Sequence, residues 1–218
     1  PLVLEDEGMG DLVIRTLGLA AAERDMEQWR AMVFAIQRPK EKLSIALVGK
    51  YVDLEDSYLS VKEALIHSGL NHHMDLDLQW VASEDIEEHG PDRFLDSASG
   101  VVVPGGFGPR GVEGMVETVR YCRERQVPYL GLCLGMQVMV IEAARAMLGK
   151  PAANSSEFNP ETPDPVIDLM YDQRGVVNKG GTMRLGVYPC ELVPGSMAAK
   201  AYRVPLVEER HRHRFEVN

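Results

Sequence analysis

From Leu43 onward, short continuous apolar runs alternate with segments whose apolar positions recur every three or four residues. Leu43 to Val48 is such a run, closed by Gly49, and predicts a strand buried on both faces. Tyr58, Val61, Ala64 and Leu65 then stripe one side of a predicted helix. Met74, Leu76, Leu78 and Trp80 alternate with Asp75, Asp77 and Gln79, the period of a half-buried strand. Val101 to Val103 is a short apolar strand that breaks at Pro104-Gly105-Gly106. Val112, Met115, Val119 and Cys122 form a second helical stripe, which assigns Cys122 to the core. A strand ending at Cys133 follows, then a mostly apolar helix through Leu148. Strand and helix in strict alternation predict an α/β fold: a mostly parallel central sheet with helices on both faces.

The flanks read differently. Asp11 to Leu19 and Met26 to Gln37 are predicted helices, broken at Gly18 and ended by Pro39. Met26, Trp29, Arg30 and Val33 share helical spacing, which turns Trp29 toward a packing surface. Residues 1–42 read as a connector from a preceding domain. Beyond Gly149 the chain is more polar, with shorter strands expected around Pro165–Met170, Arg184–Leu192 and His211–Val217. The chain opens on Pro1 rather than Met and reads as a piece of a longer protein.

Composition narrows the function classes. The 218 residues are 45% hydrophobic and 26% charged, ordinary for a globular protein. A net charge of −10 argues against nucleic acid as a partner. Three cysteines, no secretory signal and no long apolar run point to a reducing, cytoplasmic setting away from membranes.

The chemistry concentrates at Gly131-Leu132-Cys133-Leu134-Gly135, a Gly-x-Cys-x-Gly junction between strand and helix. It is the thiol counterpart of the Gly-x-Ser-x-Gly nucleophile elbow. The two glycines are expected to allow a sharp turn and a close approach of substrate to the sulfur. Free N–H groups at the start of the helix are expected to favour thiolate. Pro104-Gly105-Gly106-Phe107-Gly108 closes the preceding strand, and one helix joins the two strand ends. Read alone, Pro-Gly-Gly is a turn; read with the elbow, it can aim a backbone N–H at the carbonyl that Cys133 attacks. With the N–H of Leu134 this makes a two-donor oxyanion hole. Cys190 falls within a predicted strand and is read as structural.

Two rivals are weak. Gly106-Phe107-Gly108-Pro109-Arg110-Gly111 satisfies G-x-G-x-x-G, yet the next strand ends in Cys133, not in the acidic residue a dinucleotide site needs. A metal has little to hold it: His211-x-His213 is flanked by arginines that repel a cation. His72-His73 reads as solvated surface.

The motifs at 131–137 and 104–108 resemble those of the class I, triad-type glutamine amidotransferases, and within that family those of the glutaminase domains of CTP synthases. The narrower likeness rests on Val48-Gly49-Lys50-Tyr51, on Pro109-Arg110-Gly111-Val112-Glu113-Gly114 and on Asn154-Ser155-Ser156-Glu157-Phe158. It rests also on Gly180-Gly181-Thr182-Met183-Arg184-Leu185-Gly186 and on Glu209 to Asn218. The resemblance implies a flavodoxin-like fold. It implies that residues 1–42 are the end of a synthetase domain and a helical linker, and that 43–218 are a glutaminase domain truncated at its C-terminus. Cys133 matches the nucleophile, and Gly106 and Leu134 the oxyanion-hole donors. Leu134, Gly135, Met136 and Gln137 match the segment lining the glutamine pocket, while Glu157 and Arg214 match the groups holding the amino-acid end. A carboxylate suits an ammonium, and a guanidinium suits a carboxylate. The resemblance further implies ATP and Mg²⁺ in a synthetase domain, conversion of UTP to CTP, GTP as activator, a homotetramer, and no cofactor or metal in this segment. Arg110 and Arg184 could meet an effector phosphate.

One part of the family pattern is missing. No His-Pro-Glu, the family's base and orienting acid, occurs in these 218 residues. The chain alone is therefore expected to turn over poorly, because thioester hydrolysis and ammonia departure both need proton transfer. Two alternatives stay open: the amidotransferase of a different synthetase, and a catalytically silent binding or assembly module of the same fold.

Overall fold

The computed structural model describes residues 1–21, 24–175 and 184–218. Three helices lead in: α1 (Leu2–Asp6), α2 (Met9–Leu17) and α3 (Glu27–Gln37). The domain body follows as β1 (Glu41–Gly49), α4 (Leu59–Asn71), β2 (Met74–Ala82), α5 (Ser83–His89), α6 (Asp92–Leu95), β3 (Gly100–Val103), α7 (Val112–Arg125), β4 (Tyr129–Gly131) and α8 (Leu134–Met147). The last part comprises β5 (Asn154–Ser155), β6 (Pro165–Leu169), β7 (Arg184–Glu191), α9 (Met197–Tyr202), β8 (Leu206–His213) and β9 (Phe215–Val217). No helix among the described residues is long and apolar enough to cross a membrane.

Strands β1 to β4 form one parallel sheet in the order β2-β1-β3-β4. The path runs outward from β1 to β2, then returns across β1 to β3 and on to β4. With right-handed crossovers that reversal puts α4 on one face and α5 and α7 on the other. It also opens a crevice at the carboxyl ends of β1 and β3, where ligands collect in such sheets. Ala46, Leu47, Val48, Val101 and Val103 are buried on these two central strands, as their unbroken apolar runs require. Val112, Met115, Val119 and Cys122 all reach the core, and burial drives the Cys122 thiol up to about 12.

Helix α8 is the pivot. It lies against α7, β3 and β4 and carries the small sheet β5-β6-β9 on its far side. Two backbone approaches seat it. A Cβ placed on Gly135 would stand 2.0 Å from the Val103 carbonyl oxygen, and one on Gly131 would stand 2.5 Å from the Gly135 carbonyl. These glycines therefore bring main chain onto main chain between β3, β4 and α8. They do not open the sulfur to substrate, as the sequence reading expected. Tyr129 Oη donates to the Gly135 carbonyl at 2.8 Å, tying the strand to the first helical turn. Glu142, almost fully buried on α8, takes a two-pronged hydrogen bond from Arg123 of α7 at 2.8 and 3.0 Å.

Other expectations shift. Ala64 is exposed, and Tyr58 is buried just before α4 instead of on its stripe. Cys190 lies in β7 but is exposed, not part of a buried core. The single strand expected over His211–Val217 is two: β8 pairs with β7, while β9 pairs with β6, and the chain bends at Arg214 between them. Trp29 on α3 is exposed, as are Met32, Phe34 and Ile36.

Gly135→Ala is expected to cost about 3 kcal/mol, because neither backbone can yield without moving α8 off the sheet. Gly149→Ala, at φ +64° with open space around it, is expected to cost only about 1 kcal/mol of left-handed strain. Urea denaturation of the two variants beside the wild type checks the contrast.

Candidate active site

Cys133 caps α8 with φ +56° and ψ −108°, a conformation that side chains other than glycine rarely adopt. The geometry is enforced from both sides. Leu132 N–H donates to the Val103 carbonyl at 2.9 Å, and the Cys133 carbonyl accepts the first helical bonds from Met136 and Gln137 at 3.1 Å. A residue clamped between a strand and a helix start has no relaxed alternative, and strain of this kind gathers at functional sites. The Leu134 N–H is left over at the helix start and favours the charged form of the Cys133 sulfur.

The thiol opens onto a cavity of ≈ 400 Å³ lined by Gly106, Phe107, Cys133, Gln137, Ser156, Glu157, Arg212, His213, Arg214 and Phe215. Cys133 is exposed as a residue through this opening, yet its sulfur is walled by protein behind it. A Cβ on Gly105 would sit 3.4 Å from Sγ, so the loop after β3 passes beside the sulfur. Burial raises the thiol above its ordinary pKa, the Leu134 N–H pulls it down, and the charge of Glu157 raises it further. The expected bare thiolate is thus corrected. Helix-start stabilisation is present but is outweighed by desolvation, which holds the thiol above its ordinary pKa.

Glu157 follows β5, and burial raises its carboxyl above the usual range, against the pull of the Gly108 N–H, Lys50 and Arg214. Arg214 stands at the bend between β8 and β9, where its carbonyl accepts from Met170 N–H at 3.1 Å. Its Nε is buried and has no acceptor among the described residues. A desolvated guanidinium N–H without a partner is costly unless an anion completes it. A carboxylate, a guanidinium and a thiol lining one cavity are chemically able to meet an ammonium, a carboxylate and an electrophilic carbon respectively.

Of the residues matched to the site in sequence, Gly106, Cys133, Gln137, Glu157 and Arg214 line the cavity. Leu134, Gly135 and Met136 do not: Leu134 and Gly135 are buried against β3, and only the Leu134 amide turns toward the sulfur. Gln137 donates from Nε2 to the Phe215 carbonyl at 3.0 Å, which fastens β9 to α8. The Gly106 N–H has no acceptor among the described residues.

Lys50 closes the Val48-Gly49-Lys50 run at the carboxyl end of β1. It is 5% exposed, and its ammonium donates to the carbonyls of Phe107, at 3.2 Å, and Gly108. A lone lysine after a strand carries no sequence signal of burial. Arg110 donates to the Lys50 carbonyl at 2.8 Å and pairs with Glu84, so it braces this loop. The motif residues Gly180 to Met183, and the side chain of Arg184, lie outside the described residues. Among the described residues, His211, His213 and Glu216 could ligate a metal, their ligand atoms within 4.8 Å of one another. They adjoin Arg212 and Arg214, whose positive charges oppose a cation there.

Residues 53–218 match the family described as Glutamine amidotransferase class-I. Over all 218 residues the chain is 56% identical to the CTP synthase of Chloroflexus aurantiacus (strain ATCC 29366 / DSM 635 / J-10-fl) and 55% identical to that of Dehalococcoides mccartyi (strain CBDB1). It spans 40% of the length of each of these curated relatives. Among solved structures it resembles the Trypanosoma brucei CTPS glutaminase domain with bound acivicin. The identity is 41% and the TM-score 0.73, over 81% of this chain and 68% of that one.

The electrostatics set a pH profile. Burial and the Glu157 charge both disfavour thiolate, so alkylation of Cys133 by iodoacetamide should rise with pH about a midpoint above that of a free thiol. Glu157→Gln removes one raising cause and should move that midpoint down. Peptide mapping separates Cys133 from the exposed Cys190; a wild-type midpoint at or below the free thiol contradicts the assignment.

Proposed function

The chain belongs to the class-I glutamine amidotransferases and, within them, to the glutaminase domains of CTP synthases, and from that premise we propose that it hydrolyses L-glutamine at Cys133. The observation that carries this reading is the strained elbow at Cys133 opening on one cavity with Glu157 and Arg214. The α-carboxylate of glutamine pairs with the guanidinium of Arg214 where it lines the cavity, and the α-ammonium meets Glu157. The side chain then extends to the sulfur.

The deprotonated sulfur attacks the amide carbon, and the carbonyl oxygen takes the negative charge between the N–H groups of Leu134 and Gly106. Each such donor is worth about 3–4 kcal/mol in a closed site. As the tetrahedral adduct collapses, the C–N bond breaks, the nitrogen gains a proton and ammonia leaves. Water then cleaves the γ-glutamyl thioester to glutamate and restores the thiol. The base that deprotonates sulfur and water is proposed to lie in a His-Pro-Glu segment of the longer polypeptide, since none occurs in these 218 residues.

Residues 1–42 are proposed to be the end of a synthetase domain and its linker. The apolar side chains exposed on α3 suit burial against that domain. In the whole protein the ammonia is proposed to aminate UTP to CTP, with ATP and Mg²⁺ acting in the synthetase domain, GTP as activator and a homotetrameric assembly.

Full-length protein treated with acivicin is expected to carry one adduct, on Cys133. Cys133→Ala should abolish ammonia release from glutamine, whereas Arg214→Gln should raise KM by about tenfold to a hundredfold through the lost charge-assisted bond. The 218-residue chain alone should release ammonia several orders of magnitude more slowly than the full-length protein, as expected when a nucleophile is parted from its base. A fully active isolated chain contradicts the missing-base reading; an adduct elsewhere contradicts the nucleophile.

A further inference from the structure

Lys50 occupies the crevice where the path of the sheet reverses, at the carboxyl end of β1, and every polar group it has is engaged. Its N–H donates to Tyr58 Oη at 3.1 Å and its carbonyl accepts from Arg110 at 2.8 Å. Its stem lies under the loop after β3, where a Cβ on Gly106 would stand 3.3 Å from the lysine Cδ. The ammonium lies 5.7 Å from the centre of the Phe158 ring, beside Glu157 in sequence. A buried lysine held for stability alone normally takes a carboxylate. Among the described residues Lys50 has no ion pair within salt-bridge distance, and it donates instead to the carbonyls of Phe107 and Gly108.

The choice of carbonyls matters because a peptide is planar and trans. The Phe107 carbonyl and the Gly108 N–H belong to one plane and point in opposite directions. Drawing the carbonyl down onto Lys50 therefore turns the Gly108 N–H away from it, toward the Glu157 carboxylate whose charged form that N–H favours. Gly108 follows at φ +75°, a turn that a side chain would resist. We propose that Lys50 is a positioning residue of the pocket: its ammonium sets the Phe107–Gly108 peptide so that Gly108 N–H holds the Glu157 carboxylate where an amino-acid ammonium arrives. The inference rests on the glutaminase reading above, since it gives Glu157 a substrate to recognise.

The test compares glutamine with glutaramic acid, which is glutamine without its α-amino group, in the full-length protein. Lys50→Met keeps the aliphatic stem and removes the ammonium. It is expected to shrink the ratio of kcat/KM for glutamine over glutaramic acid by about tenfold, matching Glu157→Gln, mainly through KM for glutamine. Lys50→Arg, which keeps a cation, should hold the ratio within about threefold of wild type. A purely structural lysine would slow both substrates equally, and an unchanged ratio in Lys50→Met overturns the proposal. Hydrogen exchange of the peptide spanning residues 105–111 gives a readout free of activity. Exchange is expected to quicken in Lys50→Met, and unchanged protection overturns the inference. Should the wild type release no ammonia from glutamine, the glutaminase reading falls, and the exchange comparison still decides the role of Lys50.

Discussion

Gly135 meets the Val103 carbonyl with no room for a methyl group between them, and the geometry at the nucleophile depends on that contact. Because α8 sits on the backbone of β3, its first turn begins while the chain is still bonded to the sheet through Leu132. One residue must absorb the change of direction, and Cys133 does so at positive φ. The sulfur is thereby lifted over the strand ends, with the Leu134 amide on one side and the loop at Gly105 on the other. Arg123 and Glu142 between α7 and α8, and Tyr129 on Gly135, hold the helix against sliding along that contact.

Electrostatically the resting pocket restrains its own nucleophile. Desolvation and Glu157 both disfavour the thiolate, and desolvation also raises Glu157 against three positive influences. The arrangement favours recognition over standing reactivity. On the proposed reading, Arg214 and Glu157, which line one cavity, meet the two charges of an amino acid, while the thiol awaits a proton acceptor from elsewhere.

Much of the architecture was legible in the pattern of side chains. Apolar runs marked the buried strands β1 and β3, helical stripes marked α7, and the break at Pro104-Gly105-Gly106 beside the Gly-x-Cys-x-Gly turn located the site. What stayed hidden depends on distance through space. Gly131 and Gly135 looked like room for substrate and prove to be contacts between backbones, since a glycine reads the same in either role. The burial of Lys50 and Glu142 has no local signal, because burial of a charge is decided by partners far along the chain: the loop carbonyls for one, Arg123 for the other. The thiol was expected to follow the helix-start potential, and a local motif cannot weigh that against the desolvation imposed by neighbouring loops. The bend at Arg214 was equally silent, for alternation continues across it without interruption.

That bend has a mechanical meaning. β8 belongs to a two-stranded ribbon with β7, and β9 belongs to the sheet fastened to α8 through Gln137. Arg214 is the joint between a projecting arm and a fixed frame. Swinging the ribbon about that joint would swing the guanidinium with it, as a handle turns a key, while the sulfur on its clamped helix start stays in place.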